Sequence, residues 1–231
     1  MRLVCLPHAG GSANFFADWS AALPADIEVS SVQYPGRADR ISEPCLESMA
    51  VLAPAVARAL RPLADRPIAL FGHSMGAAVA YEVARQLAKW GIEPCHLFVS
   101  GRHAPGEVVE GDVHQRDDDG LVADLTRLGG TAPELFSSPE LRAFFLPAIR
   151  SDYRLAETYR WSAGPEPACP MTVLLGDADP EVTPAQAERW SAHAAGELRI
   201  ERFRGDHFYL VSERDAVLEL VADSLRDAAA A

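Results

Sequence analysis

The sequence predicts an α/β fold: a mostly parallel central sheet flanked by helices, with one helical insertion. Three observations predict it. Short apolar runs alternate with longer segments of helical period, the signature of parallel strands joined by helices. The apolar run 67–71 passes through Gly72-His73-Ser74-Met75-Gly76 directly into the helix-forming stretch 77–81. Between about 104 and 165 the alternation stops and only helical periodicity remains.

Strands are expected near 2–6, 28–33, 67–72, 95–100, 170–175 and 197–203. Runs such as Leu3-Val4-Cys5-Leu6 are apolar throughout, as a strand covered on both faces requires. Helices are expected near 13–22, 46–60, 75–89, 184–193 and 212–227. The last places Val217, Leu220, Val221 and Leu225 on one face and is expected to fray into 228–231. In the insertion, Leu121, Leu125 and Leu128 form one periodic set, and Leu141, Phe144, Phe145, Ile149 and Tyr153 a second. Gly129-Gly130 and Ser137-Ser138-Pro139 punctuate them as turns. A helical insertion between two strands of such a sheet reads as a lid over the strand ends, where these sheets bind ligands. The chain is expected to form one domain, 1–231, with the lid at about 104–165.

With 48% hydrophobic and 23% charged residues the 231-residue chain can bury a real core. Its formal charge, 21 − 33 = −12, argues against nucleic acid, which calls for a basic stripe facing the phosphates. Cys5, Cys45, Cys95 and Cys169 are scattered, with no C-x-x-C pair and no metal-ligand spacing to histidine. Cys5, Cys95 and Cys169 sit in or beside apolar runs and are expected to be buried, and no metal is expected. No stretch has the length of a membrane span, and the start lacks the pattern of a secretory signal. A cytoplasmic monomer with no membrane contact is the expectation.

Gly72–Gly76 matches G-x-S-x-G, the nucleophile elbow of α/β-hydrolases. A strand bending sharply into a helix lifts the Ser74 hydroxyl into the open. The glycines permit the bend because a Cβ at either would strike neighbouring backbone. The helix N-terminus offers free N–H groups to developing negative charge. His73, inside the motif, reads as a packing residue.

A serine nucleophile needs a base and an orienting acid, and in this fold they follow in the order Ser, Asp/Glu, His. His207, after the expected strand 197–203, is the base best placed to return to the elbow. His96 and His193 suit structural roles, and His103 and His114 flank the lid. Asp177 and Asp179 both follow the strand at 170–175. Asp179 is favoured, being further along the loop and stiffened by Pro180, whereas Asp177 also reads as a turn residue binding local N–H groups. For the oxyanion hole, Met75 N–H needs a companion. Ala9, in the glycine-rich loop after the first strand, is the choice.

These residues resemble the type II thioesterases that accompany polyketide synthases and nonribosomal peptide synthetases. The resemblance runs nearly end to end. It begins with Leu6-Pro7-His8-Ala9-Gly10-Gly11-Ser12, then Gln33-Tyr34-Pro35-Gly36-Arg37 with Arg40, then the elbow. It continues through Leu128-Gly129-Gly130-Thr131 and Pro147-Ala148-Ile149-Arg150-Ser151-Asp152-Tyr153, and closes with 176–182 and 205–208. It implies Ser74, Asp179 and His207 as the triad, Ala9 and Met75 as oxyanion donors, and a mobile lid. It further implies hydrolysis of acyl groups from the phosphopantetheine arm of acyl or peptidyl carrier proteins, as an editing enzyme of antibiotic-type biosynthesis with no cofactor of its own. One departure is Asp206, at a position that is often small.

Carrier proteins are typically acidic, so the relatively basic stretch holding Arg37, Arg40, Arg58, Arg61 and Arg66 is a candidate docking surface, or else a solvated face. Leu121, Leu125, Phe144, Phe145 and Tyr153 are candidates to line an acyl chamber, or to pack the lid. Two other functions remain open: a chain-releasing thioesterase or carboxylesterase acting on oxygen esters, and an inactive module that binds carrier proteins.

Overall fold

The computed structural model describes residues 1–107, 111–130 and 136–230. Thr131 of the Leu-Gly-Gly-Thr phrase and the last alanine of the expected tail lie outside these. Six strands form one sheet in the order β2-β1-β3-β4-β5-β6: β1 (Arg2–Leu6), β2 (Glu28–Ser31), β3 (Ile68–His73), β4 (His96–Ser100), β5 (Met171–Gly176) and β6 (Leu198–Phe203). Every pairing is parallel. The four central strands β1, β3, β4 and β5 are buried along their whole length, as their unbroken apolar runs require.

Alternate side chains of these strands feed two cores. Val4, Leu6, Leu70, Val99 and Val173 pack with helices α2 (Met49–Leu60), α3 (Met75–Ala88) and α6 (Pro184–Glu188). Leu3, Cys5, Phe71 and Phe98 pack on the opposite face with α1 (Trp19–Ala22), the short α7 (Tyr209–Ser212) and α8 (Arg214–Ala230). Phe71 and Phe98 are fully buried, and each contributes roughly 1.5–3 kcal/mol of transfer free energy.

Several boundaries differ from expectation, each for a local reason. The helix expected at 13–22 divides into a 3-10 turn, Ala13–Phe16, and α1, which lets Phe16 and Trp19 both meet Phe71 edge-on. Helix α2 starts at Met49 because Ser48 takes the extended N-cap conformation. The helix expected at 184–193 tightens after Glu188 into a 3-10 segment. The final helix continues to Ala230 where fraying was expected, alanine being the strongest helix former. Cys5 and Cys169 are buried; Cys95, expected to be buried, is partly exposed at the entrance to β4.

Between β4 and β5 lies the expected helical insertion, with α4 (Asp118–Leu128) and α5 (Pro139–Thr158). Its turn signals act as caps. Asp117 accepts the Gly120 N–H, Gly129 closes α4 in the left-handed conformation, and Ser138 accepts the Leu141 N–H ahead of Pro139. The two helices share a core of Leu121, Leu125, Leu146, Ile149 and Tyr153, against which Ala9 also packs.

Candidate active site

The elbow sits where β3 meets α3. Ser74 carries φ 55° and ψ −117°, a conformation that a side-chain-bearing residue adopts only when its surroundings impose it. The surroundings are tight. A Cβ on Gly72 would stand 2.1 Å from the Gly76 carbonyl oxygen, and one on Gly76 would stand 2.1 Å from the Leu6 carbonyl oxygen. Both motif glycines are therefore demanded by close backbone approach, and β1 is pressed against the bend. Ser74 itself is anchored by its N–H to the Ser100 carbonyl at 2.8 Å.

Ser74, Met75, Ala9 and His207 line one cavity of about 290 Å3, together with lid residues Leu125 and Tyr153. His207 arrives from the loop between β6 and α7. Its Nδ1 lies 2.9 and 3.1 Å from the two oxygens of Asp179, and both side chains are almost fully buried. Asp179 also accepts the Glu181 N–H at 2.8 Å. With the carboxylate on Nδ1, the imidazole presents Nε2 as the proton acceptor. Ser74 Oγ and His207 form no direct hydrogen bond among the described residues, a pair that commonly tightens only with substrate.

Asp177 takes the turn role: it accepts the Gly205 N–H at 2.9 Å and so ties the β5 loop to the β6 loop. Asp206 likewise turns to backbone, accepting the Phe208 N–H at 2.9 Å. Of the loop's candidate carboxylates, only Asp179 reaches the imidazole.

The N–H groups of Ala9 and Met75 take no protein acceptor among the described residues, and both residues face the cavity. A backbone donor in such a place is what an oxyanion hole requires. His8 and His73 surround the base. The His73 ring lies 5.0 Å from the His207 ring and 5.9 Å from that of His8. Burial, with the His207 charge adding to it, pushes His8 down to about 3 and His73 well below the ordinary imidazole range. Both shifts favour the neutral imidazole at His8 and His73. His73 is held by Ser100 Oγ at 2.9 Å, itself 2.6 Å from the Tyr209 hydroxyl. It is the packing residue expected of it.

Three expected site residues are placed elsewhere. Arg37 is no docking residue: it is buried and pairs with Asp152 of α5. Its guanidinium carbon lies 5.4 Å from the ring of the buried Tyr34. Phe144 and Phe145 do not line the chamber. They meet edge to face on the outer side of α5, 51% and 37% exposed, because Leu146, Ile149 and Tyr153 occupy the inward face. Tyr153 does line it, its hydroxyl donating to Asp124 at 2.9 Å. Arg40 stays half-exposed, binding Glu43 and the Gln33 carbonyl. Asp152 falls in the segment 147–153 that carries the family resemblance, and its only signal in the sequence is that position.

Among the described residues no cluster of His, Cys, Asp and Glu is arranged to hold a metal ion, and no helix is long and apolar enough to cross a membrane.

The family model "Thioesterase domain" matches residues 1–225. The chain is 43% identical over 227 residues to thioesterase PikA5 of Streptomyces venezuelae, covering 97% of this chain and 81% of that protein. It is 46% identical over 225 residues to a probable cadicidin biosynthesis thioesterase of Streptomyces griseus, covering 97% of this chain and 62% of that protein. Among solved structures, the type II thioesterase BorB from the borrelidin biosynthetic cluster superposes with a TM-score of 0.90 at 48% identity. That alignment covers 97% of this chain and 92% of BorB.

Proposed function

The chain belongs to the thioesterase-domain family, and on that premise we propose that it hydrolyses acyl groups from the phosphopantetheine arm of acyl or peptidyl carrier proteins, as an editing enzyme of polyketide or nonribosomal peptide biosynthesis. The single observation that carries the proposal is the convergence of Ser74, His207 and two unengaged backbone N–H groups on one cavity, with Asp179 behind the imidazole.

The chemistry follows from that arrangement. Ser74 Oγ attacks the thioester carbonyl carbon while His207 Nε2 takes the hydroxyl proton. Asp179 holds the ring in the required tautomer and balances the imidazolium charge. The carbonyl oxygen becomes an oxyanion between the Ala9 and Met75 N–H groups. Its collapse breaks the C–S bond, and the departing thiolate receives the proton from His207. A thiol, with an ordinary pKa of about 8.5, leaves far more readily than an amine. Water then repeats the sequence on the acyl-serine, releasing the acid and restoring Ser74. No cofactor enters.

The partner in this reading is an acidic carrier domain, and the chain itself carries −12. With Arg37 buried, the exposed Arg58, Arg61 and Arg66 and the half-exposed Arg40 remain the candidates for docking. Four free cysteines suit the reducing cytoplasm in which such synthases work.

The test compares wild type and Ser74→Ala on the same acyl group presented three ways: on a carrier protein, on free pantetheine and as an oxygen ester. The proposal expects the carrier-bound thioester to be hydrolysed with the highest kcat/KM and all turnover to vanish in Ser74→Ala. Preference for the oxygen ester would replace it with a carboxylesterase reading. Carrier binding with no turnover would replace it with an inactive module.

A further inference from the structure

The buried pair of Arg37 and Asp152 lies outside the triad yet joins three segments distant in sequence. Arg37 Nη2 donates to Asp152 Oδ1 at 2.7 Å, and Nη1 donates to Oδ2. The same Oδ2 accepts the Gly10 N–H at 2.8 Å, and the same Nη1 donates to the Gly11 carbonyl at 3.1 Å. Tyr34, whose ring lies 5.4 Å from the guanidinium carbon, donates its hydroxyl to the Pro7 carbonyl at 3.3 Å. The loop 7–11 is thus gripped at Pro7, Gly10 and Gly11, on both sides of Ala9, while the Ala9 N–H itself is left facing the cavity.

Stability alone does not account for this. Desolvation roughly cancels the attraction within a buried ion pair, and apolar side chains of similar volume hold a fold as well. What apolar side chains cannot do is bind the Gly10 N–H and the Gly11 carbonyl. The pair therefore supplies orientation of the peptide next to Ala9.

We infer that Arg37 and Asp152 are positioning residues for the transition state. They aim the Ala9 N–H at the developing oxyanion and, because Asp152 stands on α5, fasten that half of the hole to the insertion. This rests on the reading of Ala9 and Met75 as oxyanion donors. Losing one such donor costs about 100- to 1,000-fold in kcat, and a displacement of about 1 Å can cost about 100-fold.

Asp152→Asn keeps the shape but loses the charge, and its single oxygen cannot serve both Gly10 and the two guanidinium arms. Arg37→Lys keeps the charge but loses the fork. For both variants, kcat and KM on an acyl-pantetheine thioester are measured beside the affinity of an acyl trifluoromethyl ketone, which adds to Ser74 and forms the oxyanion. We expect kcat to fall about 100-fold with KM within about threefold, and ketone affinity to fall in step. The midpoint of the pH profile should not move, because His207 and Asp179 are untouched. Wild-type ketone affinity in a folded variant overturns the inference. Should neither variant fold, amide exchange of the wild type decides. A Gly10 N–H protected like the amides of β1 supports the clamp, and exchange at exposed-loop rates refutes it. Fluorophosphonate labelling of wild-type Ser74 separates the two levels: no labelling would mean failure of the triad, whereas labelling with unchanged ketone affinity in the variants would mean failure of the clamp alone.

Discussion

His207 points Nδ1 at Asp179, with both carboxylate oxygens within 3.1 Å, although the two are 28 positions apart in sequence. Two residues nearer the end of β5, Asp177 has the same side chain and a different task, accepting the Gly205 N–H. The pair of aspartates separates chemistry from architecture within a single loop. One orients and charge-balances the base; the other fixes the distance between the loops that carry acid and base.

Isosteric amides distinguish these tasks. Asp179→Asn should lower kcat by about 1,000- to 10,000-fold, because the amide no longer enforces the useful tautomer. Asp177→Asn keeps an acceptor oxygen for the Gly205 N–H, so it should leave kcat within about threefold and stability within about 1 kcal/mol. Steady-state kinetics and thermal melts on both proteins check this.

Stability should depend on pH through His8, His73, His96 and His103. Burial lowers His8 to about 3, His73 well below the ordinary value, and His96 and His103 to about 4 each. Their folded pKa values are depressed, so between those values and about 6.5 the unfolded chain binds more protons than the folded one. Stability therefore rises with pH through that window and is lost on acidification below 6.5. His8, His96 and His103 each contribute on the order of 1 kcal/mol between pH 7 and 5. Melts across that range should show a steep decline, and His96→Gln and His103→Gln should each flatten it.

The chamber should favour short acyl groups. Its volume of about 290 Å3 lies at the lower end for small-molecule pockets, and Leu125 and Tyr153 close its lid side. Propionyl-pantetheine should exceed decanoyl-pantetheine in kcat/KM by about tenfold or more. Leu125→Ala should narrow that ratio, and Phe144→Ala should not, since Phe144 lies outside. A chain-length series on the three proteins measures it.

Much of this was legible along the chain because it depends on neighbours in sequence. Central strands announce themselves as unbroken apolar runs, and Gly129 and Ser138 mark helix ends by their own backbone preferences. The elbow is likewise local: strand, serine and helix are contiguous. The burial of Arg37 is not legible along the chain because its partner is 115 residues away and only the packed fold brings the two together. Phe144 and Phe145 share a helix with Leu146, Ile149 and Tyr153, and periodicity alone does not say which of two apolar faces turns inward. The neutrality of His8 and His73 is a consequence of burial beside His207, which no spacing encodes.

The most direct measurement of the central claim is intact-protein and peptide mass spectrometry of the enzyme quenched during turnover of an acyl-pantetheine thioester. The account predicts one acyl group, located on Ser74, that accumulates in His207→Ala supplied with an activated thioester and is absent from Ser74→Ala. Undiminished hydrolysis by Ser74→Ala, or the acyl group on another side chain such as Cys45, would contradict it.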